Sequence, residues 1–408
     1  MSPSDEKVTL GVRLAWPERP LASIGEVRAP LSRRWVRLAV SAGAGVAVAT
    51  TVALSADDVA RPPLAQAAGQ TTAKTAASHA ALKMIWGPND LPDGTSAFPT
   101  YQRLGVDVLE RQLSWRATAT RRPASPRDPT DPAYEWPASL DEAAARAAAA
   151  HIQLAIMVRQ TPDWANGDRG DARAPNKDAD YADFLRAASR HYPKVKFWMI
   201  WGEPSRAGVF TPMPAHSPVG PRRYATLLDA SYAALKAERS SNVVIGGMTW
   251  TLGEVYPAEF VKWMKLPNGK PPRLDYFGHN PFATRFPDIR KGTYYPGLRD
   301  ISDTDTLYAE LKTAYRSRGR TPPLWLSEYT VGSDRANRAF TFFVTRKEQA
   351  RWITAAFALA DGAPYVKGLG WYELLDESPK DIDRPLTSGL LDHRGKPKPA
   401  FDAYRKAR

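Results

Sequence analysis

The chain has 408 residues, enough for one large α/β domain with an N-terminal extension, and its 43% hydrophobic and 24% charged residues are an ordinary globular balance. It contains no cysteine, which excludes a disulfide framework and a thiolate metal site. The formal net charge of +13 is spread through the body, with no basic run interleaved with aromatics, so it reads as a solvated basic surface and no nucleic-acid partner is expected.

Residues 1–37 end in "SRRWVR" and read as a basic cytoplasmic region, with Ser32-Arg33-Arg34 resembling part of a twin-arginine signal. Residues 38–56, "LAVSAGAGVAVATTVALSA", carry no charge and are closed by Asp57 and Asp58, the polarity of an N-inside export segment. The stretch could just span a bilayer, but Ala, Gly, Ser and Thr dominate it. That favours a signal peptide over a permanent anchor. Residues 57–81, with Ala, Thr, Gln and Pro but no clear apolar period, read as a linker. The expectation is an extracytoplasmic domain at 82–408, secreted or held to the membrane only through 38–56.

From Leu82 onward, short apolar runs alternate with segments of helical period. The runs are 82–86, 106–115, 152–158, 196–201, 242–247, 274–278, 323–327 and 366–372. Between them lie segments such as "SLDEAAARAAAA", "YADFLRAASRHY" and "KEQARWITAAFALA", whose apolar residues recur at three and four. Eight strands with intervening helices predict a closed parallel (β/α)8 barrel, with an open doubly wound sheet as the alternative. "WGPNDLPDG" after the first run lacks the G-x-G-x-x-G spacing of a dinucleotide fold.

In such a barrel the loops after the strands form the working face. Trp86, Trp115, Trp201, Trp250 and Trp371 fall at or just beyond strand ends, and Trp164 lies in the loop after the third strand. One such Trp is ordinary core packing. Six on one rim suggest a carbohydrate cleft, because indole faces stack on the C–H faces of sugar rings.

Two acids sit at strand exits on that rim: Glu203 in "KFWMIWGEPSR" and Glu328 in "PPLWLSEYT". Facing carboxylates are the machinery of glycoside hydrolysis, and in the retaining form one attacks the anomeric carbon while the other protonates the leaving oxygen. Glu203, flanked by Trp201 and Pro204, is expected to keep its proton. Glu328 is expected to be ionised, with His279, Asn280, Arg111 and Tyr329 as candidate donors. The plain alternative is two acids held in separate salt bridges.

"IWGEP", "LWLSE", "GHNPF", "GWYEL" and "GLLDHRGKPKPAFDAYR", in that order, resemble a clan A retaining glycoside hydrolase of the actinobacterial cellulase or β-xylosidase type, over roughly 82–408. The resemblance implies Glu203 as acid/base, Glu328 as nucleophile, a β-linked carbohydrate substrate, and neither metal nor organic cofactor. It also makes Arg111 a candidate to reach under the nucleophile. Two positions depart from the pattern. Gly202 stands where the clan usually has an Asn contacting the sugar 2-hydroxyl, and Phe282 where many members have a supporting Tyr; Asn280 is the expected replacement for the former. These departures keep a rival open, a carbohydrate-binding barrel of the cell envelope without catalysis, and beyond it a passive envelope scaffold. His279 shares its loop with Asn280 and Pro281 and is a cleft candidate, whereas Glu373 reads as a surface ion-pair residue. The six histidines are scattered without metal-ligand spacing, and no G-x-S-x-G elbow is present.

Overall fold

A computed structural model describes residues 80–291, 295–337 and 340–407. The basic region at 1–37, the export segment at 38–56 and nearly all of the linker lie outside the described residues. At the linker's end, Ala81 is already buried, its amide donating to Asp361 Oδ1 at 2.9 Å. Among the described residues no helix is long and apolar enough to cross a membrane.

Each expected apolar run overlaps a strand, and four of the strands run past the expected end: β1 (Leu82–Trp86), β2 (Val108–Ser114), β3 (Gln153–Arg159), β4 (Phe197–Ile200), β5 (Val243–Trp250), β6 (Tyr276–Asn280), β7 (Leu324–Tyr329) and β8 (Val366–Trp371). Every strand pairs in parallel with its neighbours in sequence, and β1 pairs with β8, so the sheet closes into a barrel. The fold is the (β/α)8 barrel that the alternation predicts. Helices including Ala138–Ala149, Asp178–His191, Val219–Glu238, Thr304–Ala314 and Arg346–Asp361 follow the strands.

A strand's period of two divides its residues between two environments. Met84, Trp86, Val108, Ala155, Met157, Phe197, Met199, Ile245, Met248 and Trp325 form a cluster filling the interior. Ile85, Leu109, Leu113, Ile156, Val158, Trp198, Ile200, Phe277, Leu326 and Leu369 point the other way, into the shell against the helices. β2 stops at Ser114, whose Oγ accepts from the Ala117 amide and caps a short helix beginning at Trp115.

Two irregularities set the working end. β5 runs three residues past the expected end through a register shift between Gly246 and Thr249, with Gly247 at φ +89° and Met248 at φ +44°. On β7, Leu326 pairs with Leu369 and Tyr329 with Trp371, so three steps oppose two. This bulge breaks the alternation, and a bulge beside a functional site re-aims a side chain.

Candidate active site

Glu203 leaves β4 through a tight turn. Trp201 and Glu203 lie at φ +64° and +46°, a left-handed region that costs non-glycine residues of order 1–3 kcal/mol each. Between them, a Cβ on Gly202 would fall 2.4 Å from Met157 Sδ, so a side chain there requires the flexible end of Met157 to move. Glu203 is buried, and both its oxygens accept: Oε2 from Arg206 Nη1, and Oε1 from Asn280 Nδ2 at 3.1 Å. Arg206 lies three residues on, with its guanidinium 4.4 Å from the centre of the Trp250 ring. Asn280 Oδ1 is buried without a partner, an acceptor left for a ligand hydroxyl.

Glu328 reaches the same site from the β7 bulge. Ser327 faces the interior, where its hydroxyl donates to Glu110 Oε1 at 3.0 Å, while Tyr329 packs outward against Trp371. Glu328, between them, is buried and lies within electrostatic reach of Glu203, Glu110, Arg159 and Arg206. Among the described residues, none donates a hydrogen bond to its carboxyl. Burial, then the charges of Glu203 and Glu110, push its proton affinity well above the ordinary carboxylate range, against the pull of Arg159 and Arg206.

The two exits surround their acids differently. Glu203 has a cation and an amide, whereas Glu328 has burial and two acidic neighbours that favour its protonated form. The reason is local: the turn after β4 brings its own arginine, and the β7 bulge brings no donor.

The structure separates the sequence candidates by strand face. Trp86 is interior, its Nε1 donating to the Ser327 carbonyl at 3.3 Å, with Tyr372 at 6.2 Å between ring centres. Trp250 joins the site through Arg206. Trp115, Trp201 and Trp371 point into the outer shell instead. Trp115 packs on Trp164, Tyr181 and Phe184; Trp201 donates to the Val209 carbonyl at 2.9 Å, and Trp371 to that of Ser388 at 2.9 Å. Trp164 spends its N–H on the Ala119 carbonyl at 2.7 Å and carries Arg122 over its face. None of these four meets the carboxylates: Trp115 and Trp371 are in phase with the outward Leu113 and Leu369, the left-handed turn carries Trp201 away from the interior phase of Met199, and Trp164 lies in the segment after β3.

Arg111 follows the same rule. One residue past the interior Glu110, it turns outward and donates to the Gly87 carbonyl at 3.0 Å and Asn89 Oδ1 at 2.9 Å, so it does not support Glu328. His279 likewise faces out between interior Gly278 and Asn280. Its Nε2 meets the Arg299 carbonyl at 2.8 Å, its Nδ1 lies 2.8 Å from Thr249 Oγ1, and complete burial brings its pKa down to about 4. It is a neutral strut between loops. Phe282 packs against Phe340.

Two site members escaped the sequence reading: Arg159 and Arg206. Arg159 stands in phase with Ala155 and Met157 at the end of β3, which marks it as interior. It makes no hydrogen bond or ion pair with any described residue, its Nε is buried, and its strongest electrostatic partner is Glu203. Its unmatched donors face the same cleft. Among the described residues no group of His, Asp and Glu is arranged to hold a metal. A groove of about 500 Å³ on the outer wall, lined by Phe286, Ala350, Arg351 and Ala403, touches neither carboxylate.

No protein-family model and no curated protein sequence matches the chain. Solved structures share its fold. A family 39 glycoside hydrolase from Bacteroides cellulosilyticus superposes with a TM-score of 0.57 at 18% identity, over 80% of this chain and 63% of that one. A glucosidase from Croceicoccus marinus gives 0.57 at 15%, over 80% and 65%, and a family 39 β-xylosidase from Caulobacter crescentus gives 0.52 at 17%, over 80% and 71%. The chain thus spans less than two thirds of the first two structures' own length. The shared feature is the (β/α)8 barrel.

Proposed function

We propose that this chain is an exported retaining glycoside hydrolase that cleaves β-glycosidic bonds of an oligo- or polysaccharide by double displacement. The supporting observation is the pair of buried, electrostatically linked carboxyls delivered by the exits of β4 and β7. The motif resemblance and the fold shared with glycoside hydrolases agree with it. Glu328 attacks the anomeric carbon and Glu203 gives a proton to the departing oxygen; Glu203 then takes a proton from the water that releases the sugar. This chemistry needs one proton on the pair, carried by Glu203 at the start. For Glu203 to carry it, Arg206 must leave the carboxylate. Asn280 Oδ1 and the Arg159 donors are free to take sugar hydroxyls as this happens.

The test is a panel of aryl β-glycosides, β-glucans, xylans and mannans, with the anomer of the first product read by NMR. Turnover with retention, lost in Glu328→Gln, supports the reading. The mass of the mature N-terminus tests export: removal of residues through about 56 indicates a cleaved signal, and an intact start an anchor. A second reading, a carbohydrate-binding barrel without catalysis, is favoured by the Arg206–Glu203 contact and by Gly202. It predicts glycan affinity and no turnover in the wild type.

A further inference from the structure

A third carboxyl lies in the barrel beneath the pair. Glu110, on β2, is completely buried. Its Oε1 accepts from Trp325 Nε1 at 3.0 Å and from Ser327 Oγ at 3.0 Å, both on β7. Trp86 of β1 donates to the carbonyl of that same Ser327. The three contacts tie β1 and β2 to the bulge that aims Glu328. Room for them comes from Gly370 of β8: a Cβ there would stand 1.9 Å from the Ser327 carbonyl oxygen and 2.5 Å from Glu110 Oε2. A carboxyl is otherwise an expensive occupant of a barrel interior, and the chain has cleared a place for it.

Glu110 Oε2 is buried with no hydrogen-bond partner, so an ionised Glu110 would hold charge on an oxygen that nothing solvates. The groups acting on it are neutral donors, Trp325, Ser327 and Trp86, and burial outweighs them. The titratable groups in electrostatic reach are Glu328 on β7 and the Tyr404 phenol of the helix Pro399–Lys406. Each state of Glu110 is therefore felt at the attacking carboxyl.

We propose that Glu110 is a positioning residue for Glu328: as a neutral acid it braces the β7 bulge through Trp325 and Ser327, and losing its proton puts a second negative charge beneath the nucleophile. This rests on the glycosidase reading for its catalytic consequence, although the coupling of the two carboxyls stands apart from activity. Gln at this position keeps both Oε1 contacts and stays neutral, so it reproduces the proposed working state. Ala removes the brace and the charge together.

The experiment has two arms. In the first, the full chain carries glutamate labelled with carbon-13 at the side-chain carboxyl, and the Glu110 and Glu328 signals are identified by their loss in Glu110→Gln and Glu328→Gln. Wild-type Glu110 is expected to titrate near pH 8, and the Glu328 midpoint to fall in Glu110→Gln. In the second, kcat and KM are followed from pH 5 to 9.5. Glu110→Gln should keep neutral-pH kcat within about threefold and lose the wild-type decline above pH 8, and Glu110→Ala should lower kcat about tenfold or more with KM little changed. An unmoved Glu328 midpoint together with an unchanged alkaline limb in Glu110→Gln overturns the proposal. If the wild type hydrolyses nothing, the glycosidase reading fails while the first arm still decides whether the two carboxyls are coupled. A residue that only filled space would change the melting temperature of Glu110→Ala and leave both titrations where they were.

Discussion

The exits of β4 and β7 are equivalent places in the barrel, yet they treat a glutamate in opposite ways. After β4 the backbone curls through two left-handed residues and supplies Arg206 within the same turn, so Glu203 meets a cation and the Asn280 amide. At β7 a bulge turns Glu328 inward over a third acid, with no donor of its own. Strand topology thus brings two carboxyls together, and the local backbone gives one a cation while it leaves the other to burial and like charge.

The sharpest way to break this comparison is to remove each acid in turn. Glu328→Gln should lower kcat by about 1,000-fold or more for every substrate, because no neighbouring group can form the covalent bond in its place. Glu203→Gln should be as damaging for poor leaving groups but should spare the first step with nitrophenyl-type glycosides, which leave without a proton. Pre-steady-state bursts separate the two variants. The opposite pattern would exchange the assigned roles.

A second contrast is between the interior and the outer wall, and it explains how much of the molecule the sequence revealed. The barrel was legible because eight apolar runs alternate with helical periods, and Glu203 and Glu328 because an acid at the end of an apolar run stands out. Trp115 and Trp371 misled because position along the strand was used without its phase. Trp115 is six residues from Leu109 and two from Leu113, both outward, so alternation alone assigns it to the shell. Glu328 could not be found that way, since the bulge that turns it inward has no signature in "LWLSEY". Trp115→Ala should cost about 3–5 kcal/mol of stability in denaturant unfolding, with KM nearly unchanged. A large change in KM without a loss of stability would return Trp115 to the cleft.

His279 sharpens the same contrast from β6, where it faces outward beside the inward Asn280. Its pKa is brought down from 6.5 to about 4, so the folded protein binds this proton less well than the unfolded chain. Stability from this group is complete above pH 6.5 and falls as the pH drops towards 4, by up to about 3 kcal/mol. Comparing urea midpoints of the wild type and His279→Gln at pH 7 and pH 4.5 checks the sign. The wild type should lose more between the two than the variant. Activity limbs should not move, since the ring touches no reacting group.

The smallest expected effect tests the electrostatics of the β7 exit itself. Arg159 and Arg206 are the two cations that favour ionised Glu328, with Arg159 the stronger. Arg206 is also bonded to Glu203, so its removal disturbs both acids, whereas Arg159 makes no hydrogen bond that its loss would break. Arg159→Gln should therefore raise the proton affinity of Glu328 further and shift the acid limb of kcat/KM to higher pH. The loss is largest on that limb and shrinks above it unless Arg159 also binds the sugar. In that case KM rises at every pH, and the pH profile and the KM values together separate the field of the guanidinium from its contact with substrate.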